Sequence, residues 1–325
     1  MPSIPRIALT ALLLLTCMLA TTTTSAKTFP DHPIRLIVPF SAGGTIDVPV
    51  RIIAAALSKA SGQQFIVENR SGAGGILGTN EVAHAHPDGY TLLATSSATP
   101  ISQLLYRNAQ FDSLKSFQQI AIYGDTPTVI ATNPRHVQAK NLKELVAFAK
   151  ANPGKLTYGS PGSGTAAHLA AEMLKEALGL DIVHVPYRGA TPAITAALGG
   201  QVDVIFVGLS SIKPQLLAGK LRTIAITAGT RSSQLPDAPT VNEVVKGYDL
   251  TTWLGIAAPA QTPRAVAQRL TVLVRNVMND ADVQKRLRDV GVDPEMKDES
   301  ETAQQITGDL AVYGPLIRKI HLRLN

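Results

Sequence analysis

Cysteine is almost absent from this 325-residue chain: the single copy, Cys17, stands inside an apolar leading stretch. Beyond that stretch no disulfide, thiolate metal site or cysteine nucleophile is possible. Long hydrophobic runs are missing as well. The stretch from Ile7 to Ala20 covers 14 residues, short of the roughly 20 that cross a bilayer, and no later segment is continuously apolar for that length. Several chemistries lack their motifs. There is no Gly-Lys-Ser/Thr phosphate loop, no His-Glu-x-x-His and no Gly-x-Ser-x-Gly elbow, and His84 and His86 are spaced too closely for a helical metal pair. The basic residues are scattered without aromatic interleaving, which argues against a nucleic-acid partner. A formal charge of +6 leaves only a general attraction for anions.

What is present begins with an export signal: Arg6, the apolar run, then small residues ending at Thr24-Ser25-Ala26. Cleavage is expected after Ala26, and the loss of Arg6 leaves a mature charge of +5. Acylation at Cys17 is a competing use of this segment, but Leu15-Thr16 serves it poorly because small residues are wanted there. With 45% hydrophobic and 17% charged residues the whole chain has enough apolar surface for a large core, and its length suits two lobes.

The pattern after the signal alternates short β-rich runs with helical ones, which predicts parallel α/β units. Strands are expected at Ile34–Val38, 65–67 and 91–94, with helices through Val50, Ile53, Ala54 and Leu57 and over 76–85. Residues 119–132 read as a strand crossing between lobes despite Gly124 and Pro127, and residues 250–258 as the strand that returns. Between them lie four further α/β alternations, and three helical segments follow. The lobes are therefore expected at 27–125 with 250–325, and at 126–249.

Three loops carry the chemistry, and each follows a strand. The first runs Phe40-Ser41-Ala42-Gly43-Gly44-Thr45-Ile46-Asp47. Its glycines allow outward-facing amides at a helix start, where unpaired N–H groups and the helix dipole suit a carboxylate. The same glycines also suit a plain tight turn, and Asp47 suits a helix cap, so both uses stay open. The second, Ser160-Pro161-Gly162-Ser163-Gly164-Thr165, has the same character and enters a helix. In the third, His184-Val185-Pro186-Tyr187-Arg188-Gly189-Ala190-Thr191-Pro192, Arg188 suits a second carboxylate or a surface pair, and Tyr187 suits a ligand wall or the core. Ser96, just past the strand at 91–94, completes the candidates. Ligands of open α/β sheets bind outside such strand ends.

Two other signals are weak. Gly72-Ala73-Gly74-Gly75-Ile76-Leu77-Gly78 resembles a dinucleotide loop, but it follows the second strand and lacks the acidic partner. Ser163 with His168 suggests nucleophilic catalysis, but no acidic residue is placed to orient the imidazole. Neither a cofactor nor a metal is expected, and no residue is assigned a catalytic role.

The ordered set of segments resembles the Bug or TctC-like periplasmic receptors of tripartite tricarboxylate transporters. It comprises Val38-Pro39-Phe40 through Gly43-Gly44 to Asp47 and Arg51; Pro87-Asp88-Gly89-Tyr90-Thr91-Leu92-Leu93; Tyr158-Gly159-Ser160 through Gly164 to His168-Leu169; His184 to Gly189; Gly199-Gly200-Gln201-Val202-Asp203; and Ala257-Ala258-Pro259. The resemblance implies an α/β type II periplasmic binding fold, two lobes joined by two crossing strands around a ligand cleft. It implies a periplasmic, monomeric, non-enzymatic protein that holds a small organic carboxylate between the first two loops, partly through water, for membrane permease subunits. A sensing receptor and an exported hydrolase are the rival readings. The ligand-contact set is then Phe40, Ser41, Ala42, Gly43, Thr45, Asp47, Ser96, Ser160, Ser163, Gly164, Thr165, His168, Tyr187 and Arg188.

Overall fold

A computed structural model describes residues 29–322 of the chain, so the expected signal at 1–26 lies outside the described residues. Among the described residues no helix is long and apolar enough to cross a membrane. Strand β1 (Ile34–Val38) is buried on both faces, as a central parallel strand must be. Helix α1 (Asp47–Ser61) turns Val50, Ile53, Ala54 and Leu57 inward, tolerates Pro49 in its first turn, and stops at Gly62 in the left-handed region. Next come β2 (Phe65–Asn69), α2 (Ile76–Ala83), β3 (Thr91–Ser96) and α3 (Ala98–Leu105). Both β2 and β3 pair parallel with β1.

Strand β4 (Phe117–Thr132) is the 16-residue crossing strand. Beyond it lie α4 (Leu142–Ala151), β5 (Thr157–Ser160), α5 (Ala166–Leu178), β6 (Val183–Pro186) and α6 (Ala190–Leu198). Then follow β7 (Val204–Gly208), α7 (Leu209–Leu217), β8 (Arg222–Ile226) and the returning β9 (Thr251–Pro259). The chain closes with α8 (Arg264–Met278), α9 (Ala281–Asp289), β10 (Asp293–Lys297) and α10 (Glu299–Lys319).

The ten strands form one curled sheet because β4 belongs to both lobes. Residues 117–127 of β4 pair with β9, and residues 128–132 pair with β7 and β8. One lobe then has the order β2-β1-β3-β9-β4-β10, and the other β8-β4-β7-β5-β6. The partner switch falls between Pro127 and Thr128. There Thr227 donates its amide to the Thr128 carbonyl (2.9 Å) and Leu250 donates to Thr227 (3.0 Å), tying the two crossings together. Register shifts in β4 absorb the irregularity without ending the strand.

Each lobe buries apolar helix faces on both sides of its sheet. In the first lobe β1, α1, α8 and α9 form one core, while β3, α3 and α10 form the other. That second core also takes in Ala166, Leu169 and Ala170 of α5, so apolar packing bridges the lobes. Helix α10 is fixed by a capping box of Asp298 and Glu301 and by Trp253, whose Nε1 donates to Asp309 at 2.7 Å. Two elements were not anticipated, α3 and β10. The β10 sequence is polar, contains proline and sits at a sheet edge, so it carries no period-two signal.

Candidate functional site

Five strand ends deliver the chain into helices that begin at one chamber between the lobes. Ile46 leads into α1, Ala98 opens α3, Thr165 caps α5, Ala190 opens α6 and Gly208 precedes α7; all five line the space. Each first turn leaves N–H groups without intrahelical acceptors and carries about half a positive charge. Ala166 and Ala167, the first residues of α5, line the chamber as well. Among the described residues no Asp, Glu, Lys or Arg does. The potential is therefore positive through backbone alone, a setting that favours an anion and supplies its hydrogen bonds.

The chamber measures about 40 Å³. A water needs roughly 10–15 Å³ on the same measure, so the space takes about three water-sized groups, the size of one carboxylate. Thr128, fully buried in the wall, has an Oγ1 with no partner among the described residues. A buried hydroxyl left unpaired costs about 1–3 kcal/mol, and an anion in the chamber would remove that cost.

Hydrogen bonds across the cleft hold the lobes together around this space. Ser210 Oγ donates to the Thr45 carbonyl (2.9 Å), and Thr45 Oγ1 lies 3.3 Å from Ser211 Oγ. Thr191 Oγ1 donates to the Ala42 carbonyl (3.0 Å), and the Tyr106 hydroxyl donates to the Ser163 carbonyl (2.9 Å).

Of the residues singled out from sequence, Phe40, Thr45, Ser96 and Thr165 line the chamber. Ser163, Tyr187 and Arg188 line an adjoining vestibule of about 240 Å³, which shares Phe40 and Pro161 with the chamber. The other seven line neither space. The Ala42 carbonyl accepts from Thr191, and the buried Ser41 hydroxyl has no partner among the described residues. Asp47 is buried and takes donors from the Gly43 amide (2.8 Å), Arg51 Nε (2.9 Å) and Asn69 Nδ2 (2.8 Å). Burial pushes its pKa up, but hydrogen bonds from Arg51, the Gly43 amide and Asn69 outweigh that and hold it below the ordinary carboxylate value. Its charge is spent inside its own loop, and its carboxylate receives Gly43 rather than capping α1.

Behind the second loop, the Gly164 amide donates to His168 Nδ1 (3.2 Å), and Ser160 Oγ lies 2.7 Å from His184 Nε2. The two imidazoles stack at 4.2 Å, and His184 stacks in turn on Tyr158 at 4.6 Å. Burial, then Lys175, lowers His168 to about 4; burial, then His168, lowers His184 to about 3. Both rings are neutral and brace the loop from behind, His168 by accepting from the Gly164 amide. Ser163 and His168 share no hydrogen bond with each other, so the nucleophile pair considered from sequence is not assembled. Sequence reasoning missed Thr128, Thr252 and Gly208 on the chamber wall. Their signal was positional only: each lies at the crossing or at a strand end. Among the described residues no cluster of three or more His, Cys, Asp or Glu is placed to hold a metal.

A mixed α/β sheet with two crossing strands and a helix-lined cleft between lobes defines a periplasmic binding-protein fold. Solved structures agree. The chain superposes on the periplasmic binding protein BugD with a TM-score of 0.87 at 32% identity, over 91% of this chain and 99% of the other. It superposes equally, TM-score 0.87 at 28% identity with the same coverages, on an R. palustris protein solved with adipate. A UPF0065 protein of Bordetella pertussis is 37% identical over 94% of this chain and 95% of its own length. Residues 50–322 match the model of the tripartite tricarboxylate transporter family receptor, and the chain belongs to that family.

Proposed function

We propose that this chain is an extracytoplasmic solute-binding protein that captures a small organic carboxylate for a tripartite tricarboxylate transporter. The observation that carries the reading is the meeting of five helix amino termini, from both lobes, around a chamber without charged side chains. One carboxylate fits there, held by the amides of Ala166 and Ala167 and by the hydroxyls of Thr45, Ser96, Thr128 and Thr165, directly or through water. The lobes, residues 27–125 with 250–325 and residues 126–249, close on it because only the closed arrangement offers groups from both sides. The protein works as a monomer in the periplasm after losing residues 1–26, performs no catalysis, and presents its closed face to membrane permease subunits. The adipate of the R. palustris relative supports a carboxylate ligand.

A thermal-shift screen of carboxylates against their neutral amides tests this. A ligand at 100 times its Kd adds about 2.7 kcal/mol, so carboxylates that bind should raise the melting temperature by about 5 °C or more, and the amides should not. Equal shifts from acids and amides, or none from any acid, would overturn the reading.

A further inference from the structure

We infer that the groove between α3 and α10 is the face a permease subunit reads, and that the segment it takes from that subunit is acidic with apolar side chains among its carboxylates. This rests on the capture reading above and deepens it by naming the docking surface. The groove measures about 670 Å³. Leu104, Leu105 and Ile317 give it an apolar lining, Arg107, Arg318 and His321 a basic one, and among the described residues no Asp or Glu lines it. Arg107 and Arg318 are exposed, and neither has an acidic partner among the described residues. Arg35, Arg51 and Arg70, by contrast, are each paired with carboxylates at 2.9–3.0 Å. Two unpaired guanidinium forks beside an apolar lining match an acidic, part-apolar segment. A lipid headgroup plane would call for cations spread over an open surface, whereas these are gathered on one groove.

The place of the groove ties it to closure. Tyr106 lines both the groove and the vestibule, and its hydroxyl donates to the Ser163 carbonyl of the other lobe at 2.9 Å. At the end of α10, Lys319 pairs with Glu176 of α5 at 3.3 Å, and Ile317 packs in one core with Ala166, Leu169 and Ala170 of that helix. Both walls of the groove are thus tied to the second lobe, one through Tyr106 and one through α10. Opening the cleft parts these contacts and releases the walls. A partner shaped to the groove then favours the closed, liganded arrangement over the open one.

Gly314 also lines the groove, in the interior of α10 and next to Pro315, both poor residues for a helix. A Cβ at 314 would make only ordinary contacts, 3.5 Å from Arg318 Nη1 and 3.9 Å from Leu104 Cδ2. Packing therefore does not demand the glycine. What it keeps is open space in the groove.

The test places the photocrosslinker p-benzoylphenylalanine at Arg107, at Arg318 or at Lys59, in the full chain expressed in its own cells with the carboxylate that most raises its melting temperature. Lys59 is the control: it is exposed on α1, which packs on the other face of the first-lobe sheet. Mass spectrometry should identify an integral membrane subunit of a tripartite transporter crosslinked at Arg107 and Arg318 at least fivefold more than at Lys59, and more with the carboxylate than without it. In parallel, Arg107→Glu/Arg318→Glu should bind that carboxylate within twofold of the wild type by calorimetric titration yet lower its uptake by the cells at least tenfold, and Arg107→Lys/Arg318→Lys should lower uptake less. Crosslinks to lipid alone, equal crosslinking at Lys59, unchanged uptake in the double Glu variant, or a loss of affinity that matches the loss of uptake would overturn the groove assignment and leave carboxylate capture standing. Failure of every carboxylate to bind the wild type in the same titration would overturn the capture reading, and this inference with it.

Discussion

His168 and His184 show how a residue can serve a binding loop without touching its ligand. Both rings brace the second loop in neutral form, and burial holds them at about 4 and about 3 against an unfolded value of 6.5. The unfolded chain therefore takes up protons that the folded chain refuses once pH drops below about 6.5, and stability falls from there toward pH 4. Between pH 7 and 5 the wild type should lose on the order of 4 kcal/mol more than His168→Gln/His184→Gln, about 2 kcal/mol from each ring, read from urea unfolding. Equal losses would show that the pair does not control the acid limb. The histidines were visible in the sequence as motif members, but their stacking was not, because it joins a helix to a neighbouring strand. Asp47 was legible as a candidate and its use was not. Helix cap, ligand contact and internal brace are identical in sequence; only the approach of Asn69 from β2 decides among them. Thr128 left no trace at all, since it sits within a strand buried on both faces.

At the scale of elements, strand ends and helix starts were the readable part. Helices α4, α5 and α8 fall where their apolar spacing predicts, because amphipathic periods survive tertiary packing. Helix α3 did not read as one: Ser-Ser-Ala-Thr-Pro looks like a turn, yet Pro100 occupies its third position, within the first turn where no amide is needed. Its amino terminus is nonetheless one of the five around the chamber. The start of α7 gives the sharpest test of the seam. Gly208 has φ −63°, an ordinary conformation for any residue, but a Cβ there would stand 2.1 Å from Thr45 Cγ2 across the cleft. Gly208→Ala should weaken carboxylate binding tenfold or more, about 1.4 kcal/mol, while changing unliganded stability by less than about 0.5 kcal/mol. Unaltered affinity in titration would mean that the lobes do not need this approach to hold ligand.

For the whole molecule, the alternation of short strands and helices made the two-lobed α/β fold legible, and the long apolar run at β4 disclosed the crossing. What the sequence could not convey is convergence. Five loops spread from Ile46 to Gly208 meet only because the parallel strands aim their carboxyl ends at one cleft and because β4 and β9 turn the lobes toward each other. The account therefore stands on where a carboxylate binds. The direct measurement is a crystal structure with a carboxylate that raises the melting temperature. The account predicts the carboxylate between the first turns of α1 and α5, within hydrogen-bond distance of groups from both lobes. A carboxylate bound outside this chamber, or held by one lobe alone, would contradict it.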